Sequence, residues 1–405
     1  MKIVFLNRYF YPDHSATSQM LSDLAFHLAA REQLVHVITS RQRYDDSAAA
    51  LPRFEVVRGV AMHRVWTSTF GRDRLLGRAF DYLTFYLFAA VRLAGLLRKG
   101  DVVVAKTDPP LISVPAAFVA RLRGVRLVNW VQDLFPETAE RLGLRFAAGP
   151  VGACMRWWRN LSLRAAQLNV VVGERMRAVV EGFVPGSTEV IHNWADGSSI
   201  RPIAQESNRL RSEWGLEGKF VVGYSGNLGR AHDFGTIIDA AARLREESGI
   251  LFLFIGDGSQ REALERKASA HGLTNVLFKP YQSRTALAES LSVADLHLVS
   301  LRPELEGLIV PSKFYGIAAA GRPTIFVGDH EGEVARLIAA HGCGLTVPTE
   351  DADALVEAVL SLRDDPERVA AMGNAARHLL ENRFDQRIAM DRWEAVLARF
   401  GGVPG

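Results

Sequence analysis

The sequence is poor in cysteine and nearly balanced in charge. Its 405 residues include two cysteines, and 48 basic against 45 acidic side chains give a formal net charge of +3. Cys154 and Cys343 are too far apart for a compact metal motif, and their apolar neighbours predict two buried thiols in a reducing compartment. The low net charge gives no support to nucleic-acid binding.

Long apolar segments and several ligand motifs are also absent. No uncharged apolar run reaches the length of about 18 residues that a membrane span needs. Residues 1–7 predict a strand rather than a signal peptide, so we expect a cytoplasmic protein. The sequence contains no Gly-x-Gly-x-x-Gly, no Walker pattern and no cluster with metal-ligand spacing, so we expect no dinucleotide, metal or other cofactor.

Short apolar segments alternate with segments of helical periodicity along the chain. The predicted strands are residues 2–6, 35–39, 101–105, 126–130, 169–173, 189–192, 220–225, 251–255, 276–278, 296–300 and 324–327. A polar stretch at residues 198–208 predicts a linker. The pattern predicts an α/β fold of two doubly wound, Rossmann-like domains that face each other across a cleft. They comprise residues 1–200 and 201–385, and a helix in residues 386–405 packs back on the first domain.

A glycine-rich loop at residues 226–232 follows a predicted strand. Gly226 and Asn227 begin this loop, and Arg230 and His232 add basic side chains. Backbone N–H groups beside a cation suit a diphosphate group, although the loop could also be a plain turn. We therefore assign these four residues to the diphosphate of a donor.

Two later segments carry similar features. Ser312 and Lys313 open a predicted helix and are assigned to the same diphosphate. Gly256 and Asp257 follow another strand and are assigned to the nucleotide, with the alternative that Asp257 caps the next helix. Tyr281, after the strand at 276–278, is assigned to the nucleotide as well.

The order and spacing of these motifs resemble those of the family-4 glycosyltransferases, retaining enzymes of the GT-B fold. The motifs are residues 190–196, 225–229, 256–258, 294–295 and 321–323. The resemblance implies a donor that is a nucleotide diphosphate sugar, with UDP as the expected nucleotide. Residues 9–25 and 306–323 resemble the branch that builds O-antigen and colanic-acid-type polysaccharides. That branch implies an undecaprenyl-diphosphate-linked acceptor.

The sequence departs from the family pattern at its paired glutamates. The second glutamate of the pair, which binds ribose in the family, would stand at Gly316, and the first would stand at Leu308. Glu306 is close to the first position and is assigned to catalysis, and Glu333 is the candidate replacement on the nucleotide. The family's diphosphate Arg and Lys positions are Asn227 and His232 here.

The first domain is expected to bind the acceptor. The segment after the first strand offers His14, Ser15, Thr17 and Ser18 as ligands for a phosphate or a sugar, or simply as helix caps. Asp108 follows the strand at 101–105 and is assigned to the same acceptor site. Asp133 follows the strand at 126–130, where its carboxylate could accept a proton from an acceptor hydroxyl or cap the next segment.

An apolar and aromatic segment at residues 80–97 is flanked by basic residues. Arg72, Arg74 and Arg78 precede it, and a second basic aromatic cluster occupies residues 156–159. Such a composition is typical of a helix that lies at an anionic membrane surface, and equally of a core helix with solvated ends. We expect a peripheral protein on the inner face of the cytoplasmic membrane.

These observations predict a retaining glycosyltransferase that uses a nucleotide sugar and a lipid-linked glycan in bacterial surface polysaccharide synthesis. A sugar-nucleotide 2-epimerase of the same fold is one alternative. A non-catalytic sugar-nucleotide-binding protein is the other, and the glycine at position 316 favours it.

Overall fold

The computed structural model describes residues 1–13, 15–44, 46, 49–71 and 75–401. It divides into two compact units. Unit 1 comprises Met1–Ile191 together with the residues from Met390 onwards, and unit 2 comprises His192–Ala389. The divisions therefore fall at residues 191 and 389, where the sequence analysis placed them at 200 and 385.

Unit 1 is built on a mostly parallel sheet. Its strands are β1 (Lys2–Leu6), β2 (Leu34–Ser40), β3 (Phe54–Val57), β4 (Val60–Val65), β5 (Val102–Lys106), β6 (Arg126–Val131), β7 (Leu168–Val171) and β8 (Thr188–Val190). They lie in the order β3-β4-β2-β1-β5-β6-β7-β8, and β3 alone pairs antiparallel with its neighbour. The order reverses between β1 and β5, so loops after these strands lie at the position where such sheets bind ligands.

Unit 2 is built on a six-stranded, wholly parallel sheet. Its strands are β9 (Phe220–Ser225), β10 (Ile250–Ile255), β11 (Val276–Lys279), β12 (Leu296–Ser300), β13 (Thr324–Val327) and β14 (Gly344–Val347). They lie in the order β11-β10-β9-β12-β13-β14, so the order reverses between β9 and β12. The predicted α/β class is confirmed, and β3, β4 and β14 are strands that the sequence analysis did not predict.

Helices cover both sheets. They are α1 (Ala16–Ala30), α2 (Leu75–Leu96), α3 (Ser113–Arg123), α4 (Glu137–Arg141), α5 (Gly149–Ala165), α6 (Glu174–Phe183), α7 (Arg209–Glu213), α8 (Gly235–Arg243), α9 (Arg261–Ala270), α10 (Leu287–Ser292), α11 (Lys313–Ala319), α12 (Glu333–His341), α13 (Ala352–Arg363), α14 (Pro366–Leu379) and α15 (Gln386–Ala398). Single turns of other helix types occur at Arg145–Ala147, Gln205–Ser207, Arg284–Ala286, Pro303–Leu305 and Leu380–Phe384.

Helix α2 has two different faces. Phe85, Ala89 and Leu93 recur at every fourth position of the helix, and all three are buried in the core of unit 1 together with Leu97, which follows its end. The other side carries exposed apolar side chains. By length and composition alone α2 could cross a membrane. The sequence analysis did not predict this, because the uncharged part of the segment is too short for a span. Its buried row shows that one side packs on the sheet.

The two cysteines differ in their surroundings. Cys343 is buried as predicted, and burial raises the pKa of its thiol to about 11. Cys154 is exposed on α5, so the prediction of a buried thiol was wrong there. Its apolar sequence neighbours Val151, Trp157 and Trp158 are exposed on the same helix, so apolar composition did not indicate burial there.

Candidate active site

Two glycine turns pack directly against each other in unit 2. Gly226 follows β9, and Gly256 and Gly258 follow β10, with φ angles of 130°, 141° and 150°. A Cβ atom on Gly256 would overlap the Gly226 carbonyl oxygen, and one on Gly258 would overlap the side chain of Asn227 and the Leu228 carbonyl. Both the backbone angle and the close approach therefore require glycine. The structure thus brings together the loops assigned to diphosphate and to nucleotide.

A partly buried lysine lies beside the first of these turns. The Lys313 amine donates to the Tyr224 hydroxyl, approaches His232 Nε2 at 3.3 Å and sits 3.9 Å from the centre of the Tyr224 ring. Its Cε lies close enough to Gly226 that a Cβ there would be 3.4 Å away. Burial lowers the pKa of Lys313 to about 7. This side chain is therefore close to losing its charge at neutral pH.

The Tyr224 hydroxyl and the His232 ring both accept from the Lys313 amine, and each donates its own hydrogen to a backbone carbonyl. Tyr224 donates its hydroxyl hydrogen to the Asn227 carbonyl at 2.9 Å. His232 Nδ1 lies 2.5 Å from the Ser300 carbonyl, which only accepts, so Nδ1 carries the hydrogen and Nε2 is the acceptor. Burial, and then the Lys313 charge, lower the pKa of His232 to about 3, so the ring is neutral. A neutral amine has two hydrogens for these two acceptors. The charged ammonium form has a third hydrogen, which would be available to an anion.

The other residues assigned to the donor differ in exposure. The side chains of Arg230 and Asn227 are exposed on the first glycine turn. Ser312 makes no side-chain cap bond, and the helix that it precedes has only seven residues. Support for the anion site predicted at this helix end therefore comes from the Lys313 side chain and not from a cap at Ser312.

Gly256, Asp257 and Tyr281, three of the residues assigned to the nucleotide, lie at the second glycine turn. The Tyr281 hydroxyl donates to the Asp257 carbonyl at 3.3 Å, and the Tyr281 ring is exposed. Asp257 accepts a bond from the Gly258 N–H at 2.7 Å, so its side chain stabilises the turn. Arg261, which the sequence analysis did not single out, donates to the Gly256 carbonyl at 2.6 Å.

Glu306 and Glu333 lie together in unit 2. Glu306 Oε2 accepts the backbone N–H of Glu333 at 3.2 Å, at the first residue of α12. The carboxyl of Glu333 is buried and lies 4.0 Å from His192 Nδ1. Its charge adds to burial in raising the pKa of Tyr315. Glu306 therefore acts here as a cap for α12, which the assignment to catalysis did not anticipate.

The acceptor assignments in unit 1 form a second cluster. The Thr17 hydroxyl donates to Asp108 Oδ2 at 3.1 Å. The Ser15 N–H donates to Asp13 Oδ1 at 2.8 Å, and the buried Ser18 hydroxyl donates to the Asp13 carbonyl at 3.2 Å. Ser18 therefore stabilises the turn. His14 lies outside the described residues.

A wholly buried lysine ends β5 in the same cluster. Lys106 is 1% exposed, donates to the Thr17 carbonyl at 2.9 Å and lies 3.8 Å from the centre of the Trp130 ring. Burial lowers its pKa to about 7 against the opposing charges of Asp108, Asp133 and Asp23. The sequence analysis missed this residue, although a lysine directly after Val102–Ala105 is a polar residue at a strand's carboxyl end.

The two carboxylates near Lys106 both hold protons more tightly than usual. Desolvation, and then the charge of Asp108, raise the pKa of Asp133 to about 6 against the opposing charge of Lys106. Asp133 is nevertheless an exposed residue. Desolvation also raises the pKa of Asp108, against the bond from Thr17 and the charge of Arg8. A carboxylate that titrates near neutral pH and touches solvent has the properties of a general base.

The residues that the structure describes contain no group of three or more His, Cys, Asp or Glu side chains that could hold a metal ion. The expectation of a metal-independent protein stays a prediction.

Comparison with known proteins gives a family match in unit 2. Residues 206–379 match the family model described as glycosyl transferases group 1. The match includes both glycine turns, Lys313, Glu306 and Glu333.

Two curated relatives are similar over most of this chain. The probable glycosyltransferase WbjE of Pseudomonas aeruginosa is 28% identical over 80% of this chain and 81% of its own. WcaI of Escherichia coli K12, named for glycosyl transfer in colanic acid biosynthesis, is 27% identical over 89% of this chain and 91% of its own. The predicted resemblance is confirmed by these matches.

A solved structure is similar over nearly the full length. Anabaena HepE in complex with UDP superposes with a TM-score of 0.73 at 16% identity and covers 98% of this chain and 100% of its own. At this identity the likeness shows the fold, and it confirms the GT-B architecture that the sequence predicted.

Proposed function

We propose, from the premise that this chain is a glycosyltransferase of group 1, that its donor is a nucleotide diphosphate sugar and its acceptor a lipid-linked glycan of bacterial surface polysaccharide synthesis. UDP is the expected nucleotide, because HepE has a UDP complex. The polysaccharide context follows from the name of WcaI.

The partly buried Lys313 amine is the observation that carries the donor assignment. Its described partners are a phenol and a neutral imidazole, neither of which supplies negative charge. A diphosphate beside Gly226 would supply that charge, and charge-assisted bonds to phosphate are among the strong ones. Arg230, exposed on the same loop, is the second proposed cation. With these two cations the leaving diphosphate is stabilised without a metal.

Asp133 is proposed to accept the proton of the acceptor hydroxyl. Its raised pKa, about 6, leaves it mostly charged at neutral pH yet basic enough to take a proton. Thr17 and Asp108 are proposed to bind the acceptor beside it, since they are joined by a hydrogen bond in the same cluster.

The test of the transfer reaction is the release of nucleotide with and without acceptor. A transferase releases UDP rapidly only with acceptor, and Lys313→Met loses this release. An epimerase releases UDP, or converts the donor, with equal rates in both cases. A binding protein holds donor and releases nothing, and either of the last two results would overturn the proposal. A thermal-shift screen of nucleotide sugars identifies the donor for this assay.

Retention of the donor's anomeric configuration is a separate part of the proposal, because it follows from resemblance to a retaining family. No carboxylate is assigned as a nucleophile, so we expect no trapped glycosyl-enzyme. NMR of the product linkage decides the point, and an inverted anomer contradicts the retaining assignment.

A membrane-facing surface on unit 1 is proposed to bring the enzyme to its lipid-linked acceptor. Helix α3 packs beside both α2 and α5. The exposed large apolar side chains of these three helices, here called the apolar face, are Leu76, Phe80, Leu83, Leu87, Phe88, Val91, Phe118, Leu122, Val151, Trp157 and Trp158. Arg121, Arg123 and Arg164 are exposed on α3 and α5. Aromatic and aliphatic side chains with interspersed arginines suit the headgroup region of an anionic bilayer.

Sedimentation with phosphatidylglycerol vesicles and neutral phosphatidylcholine vesicles tests this surface. We expect reversible binding to the anionic vesicles that weakens with salt, because each cation near the surface contributes about 1 kcal/mol. Combined Leu83→Ser, Leu87→Ser and Val91→Ser should weaken binding, whereas Phe54→Ser with Val56→Ser on β3 is the control for lost exposed apolar area. Equal binding to both vesicle types, or none, would contradict the proposal.

Neutralising Arg72, Arg74 and Arg78 together is also expected to weaken vesicle binding without unfolding the protein. Arg72 and Arg74 lie outside the described residues, so this expectation rests on the sequence. Salt-dependent sedimentation of the triple variant checks it.

A further inference from the structure

We propose that Arg8 binds a phosphate of the lipid-linked acceptor, which enters unit 1 beside the loop at residues 66–71. This role rests on the proposed function and adds a binding residue that the acceptor assignment does not contain. The group recognised is a phosphate ester, which both a prenyl diphosphate and a phospholipid headgroup carry. We assign Arg8 to the prenyl diphosphate.

The backbone of Arg8 is fixed where the strand order of unit 1 reverses. Arg8 follows the end of β1, and its N–H donates to the Asp108 carbonyl at 2.6 Å, beyond the end of β5. On the other side its carbonyl accepts the Thr39 hydroxyl at 2.8 Å and the Ser40 N–H at 2.9 Å, both from β2. Arg8 is therefore held at the edge where sheets of this kind bind ligands.

The Arg8 guanidinium is buried but uses few of its hydrogens. The residue is 5% exposed, and Nη2 donates to Gln42 Oε1 at 3.1 Å. Gln42 is oriented for this bond because its own amide donates to the Ser68 carbonyl at 3.0 Å. The buried Nε of Arg8 has no hydrogen-bond partner among the residues that the structure describes. A guanidinium has five N–H donors, so Arg8 keeps donors that a phosphate can accept.

The carboxylate closest to Arg8 is committed to the loop at residues 66–71. Asp81 Oδ2 lies 4.0 Å from Arg8 Nη2, which is longer than a hydrogen bond. Asp81 Oδ1 accepts the Ser68 hydroxyl at 2.7 Å and the Phe70 N–H at 3.0 Å. Its Oδ2 accepts the Gly71 N–H at 3.3 Å. Asp81 therefore holds the loop and pairs only loosely with the arginine.

The remaining described neighbours of Arg8 are mainly aromatic. The centres of the Tyr9 and Tyr82 rings lie 5.3 and 5.1 Å from its Cζ atom. Asp108 is a further acid on which the charge of Arg8 acts, and its carboxyl accepts the Thr17 hydroxyl. Rings attract a cation but carry no net charge. A bound phosphate would supply the opposite charge at hydrogen-bond distance, where such bonds are strong.

The loop at residues 66–71 connects this cation to the apolar face. Phe70 is 69% exposed, and its ring centre lies 5.9 Å from that of Phe80, which belongs to the apolar face. The same Phe70 donates its N–H to Asp81, the residue beside Arg8. A prenyl chain that lies along the apolar face and Phe70 would therefore bring its diphosphate to Arg8.

Calorimetric titration of the full chain with farnesyl diphosphate and with farnesol tests this assignment. UDP is added to saturation first, so that the donor site is occupied. Arg8→Gln should weaken farnesyl diphosphate binding by about tenfold or more, because hydrogen bonds from a charged donor to phosphate are strong. Farnesol binding should not change. Arg58→Gln is the matched control, since Arg58 also lies over a ring of unit 1, 4.4 Å from the Phe26 centre, and it should change neither affinity.

Transfer kinetics distinguish a phosphate contact from a merely structural role. Arg8→Gln should raise the KM for a lipid diphosphate acceptor by about tenfold and leave the KM for the donor unchanged. On a glycan acceptor with an alkyl chain and no phosphate, the variant should match the wild type. A loss of equal size on both acceptors would overturn the inference.

Sedimentation with phosphatidylglycerol vesicles separates the two sources of phosphate. Arg8→Gln should bind these vesicles as the wild type does, because the bilayer is assigned to the apolar face and the acceptor diphosphate to Arg8. Weaker vesicle binding with unchanged affinity for farnesyl diphosphate would assign Arg8 to the phospholipid headgroup and overturn the inference.

Farnesyl diphosphate that binds the wild type and Arg8→Gln equally, or that does not bind the wild type, would also overturn it. If Arg8→Gln does not fold, hydrogen exchange of the wild type replaces the titration. Farnesyl diphosphate should then protect the amides of residues 8–10 and 66–71, and unchanged exchange there overturns the inference. A wild type that binds farnesyl diphosphate through Arg8 but transfers no sugar would reject the proposed function and leave this site intact.

Discussion

Each unit of this molecule contains a lysine whose amine is only partly charged at neutral pH. Burial lowers the pKa of Lys106 and of Lys313 to about 7. The charges of Asp108, Asp133 and Asp23 favour the charged form of Lys106, whereas Lys313 has a phenol and a neutral imidazole as described partners. The first lysine is therefore stabilised by the protein, and the second gains most from an anion that arrives from outside.

The affinity for UDP should depend on pH through Lys313. Its folded pKa is lowered from 10.5 to about 7, so the amine is charged below that pH and neutral above it. A bound diphosphate favours the charged form, so binding takes up a proton and affinity should fall as pH rises from about 7 to about 9. Isothermal titration in two buffers of different ionisation enthalpy measures this uptake.

Lys313→Met tests the same charge by removing it. UDP binding should weaken by about tenfold or more at neutral pH, equivalent to about 1.4 kcal/mol, and its pH dependence above 7 should disappear. Lys267→Met, which breaks an exposed ion pair with Asp239, is the control. Unchanged affinity together with unchanged proton uptake would show that the diphosphate binds elsewhere.

Gly256 should tolerate no side chain. Gly256→Ala would place a Cβ against the Gly226 carbonyl at a φ of 141°, which costs on the order of 1–3 kcal/mol. The variant should unfold at lower temperature and bind UDP more weakly, as thermal unfolding with and without UDP measures. Gly249→Ala is the matched control because a Cβ there meets nothing within 4 Å. Equal behaviour of the two variants would contradict the packed-turn description.

Among the elements, helix α2 packs one face in the core of unit 1 and exposes the other to solvent. Phe85 is 0% exposed, and Phe88, one turn along and beside Trp66, is 40% exposed. Phe85→Ala should lower the free energy of unfolding by about 3–5 kcal/mol. Phe88→Ala should cost less than Phe85→Ala, because the Phe88 side chain is already 40% exposed. Urea unfolding of both variants checks this, and equal losses would mean that both faces are buried.

The sequence predicts elements well where burial is uniform. Strands such as β9, β12 and β13 have the predicted bounds because they are mostly apolar and almost wholly buried, as is typical of strands covered on both faces. β3 escaped prediction because it is a short antiparallel edge strand with exposed Phe54 and Val56. β14 is short, and of its four residues Val347 alone is fully buried, so its sequence carries a weak strand signal.

The candidate site follows the same rule. The glycine turns could be predicted because their positive φ angles favour glycine, and glycine is visible in the sequence. The contacts of Lys106, Glu306 and Lys313 join residues far apart in the chain, and no local pattern encodes them.

At the scale of the whole molecule, both ends of the described chain belong to unit 1. Trp393 of α15 is wholly buried against Trp130 of β6. Trp393→Ala should therefore destabilise unit 1 by about 3–5 kcal/mol and disturb the ring that supports Lys106. Hydrogen exchange should show the loss of protection in unit 1. Unchanged protection there would contradict a structural role for the last helix.

We propose that this molecule adds a sugar to a lipid-linked glycan, and the mass of that glycan reports the transfer itself. After incubation with the donor found by thermal shift, the wild type should increase the acceptor mass by one sugar residue. Asp133→Asn and Lys313→Met should slow that increase strongly, and Lys267→Met should not. An acceptor of unchanged mass, with donor bound or consumed, would contradict the account.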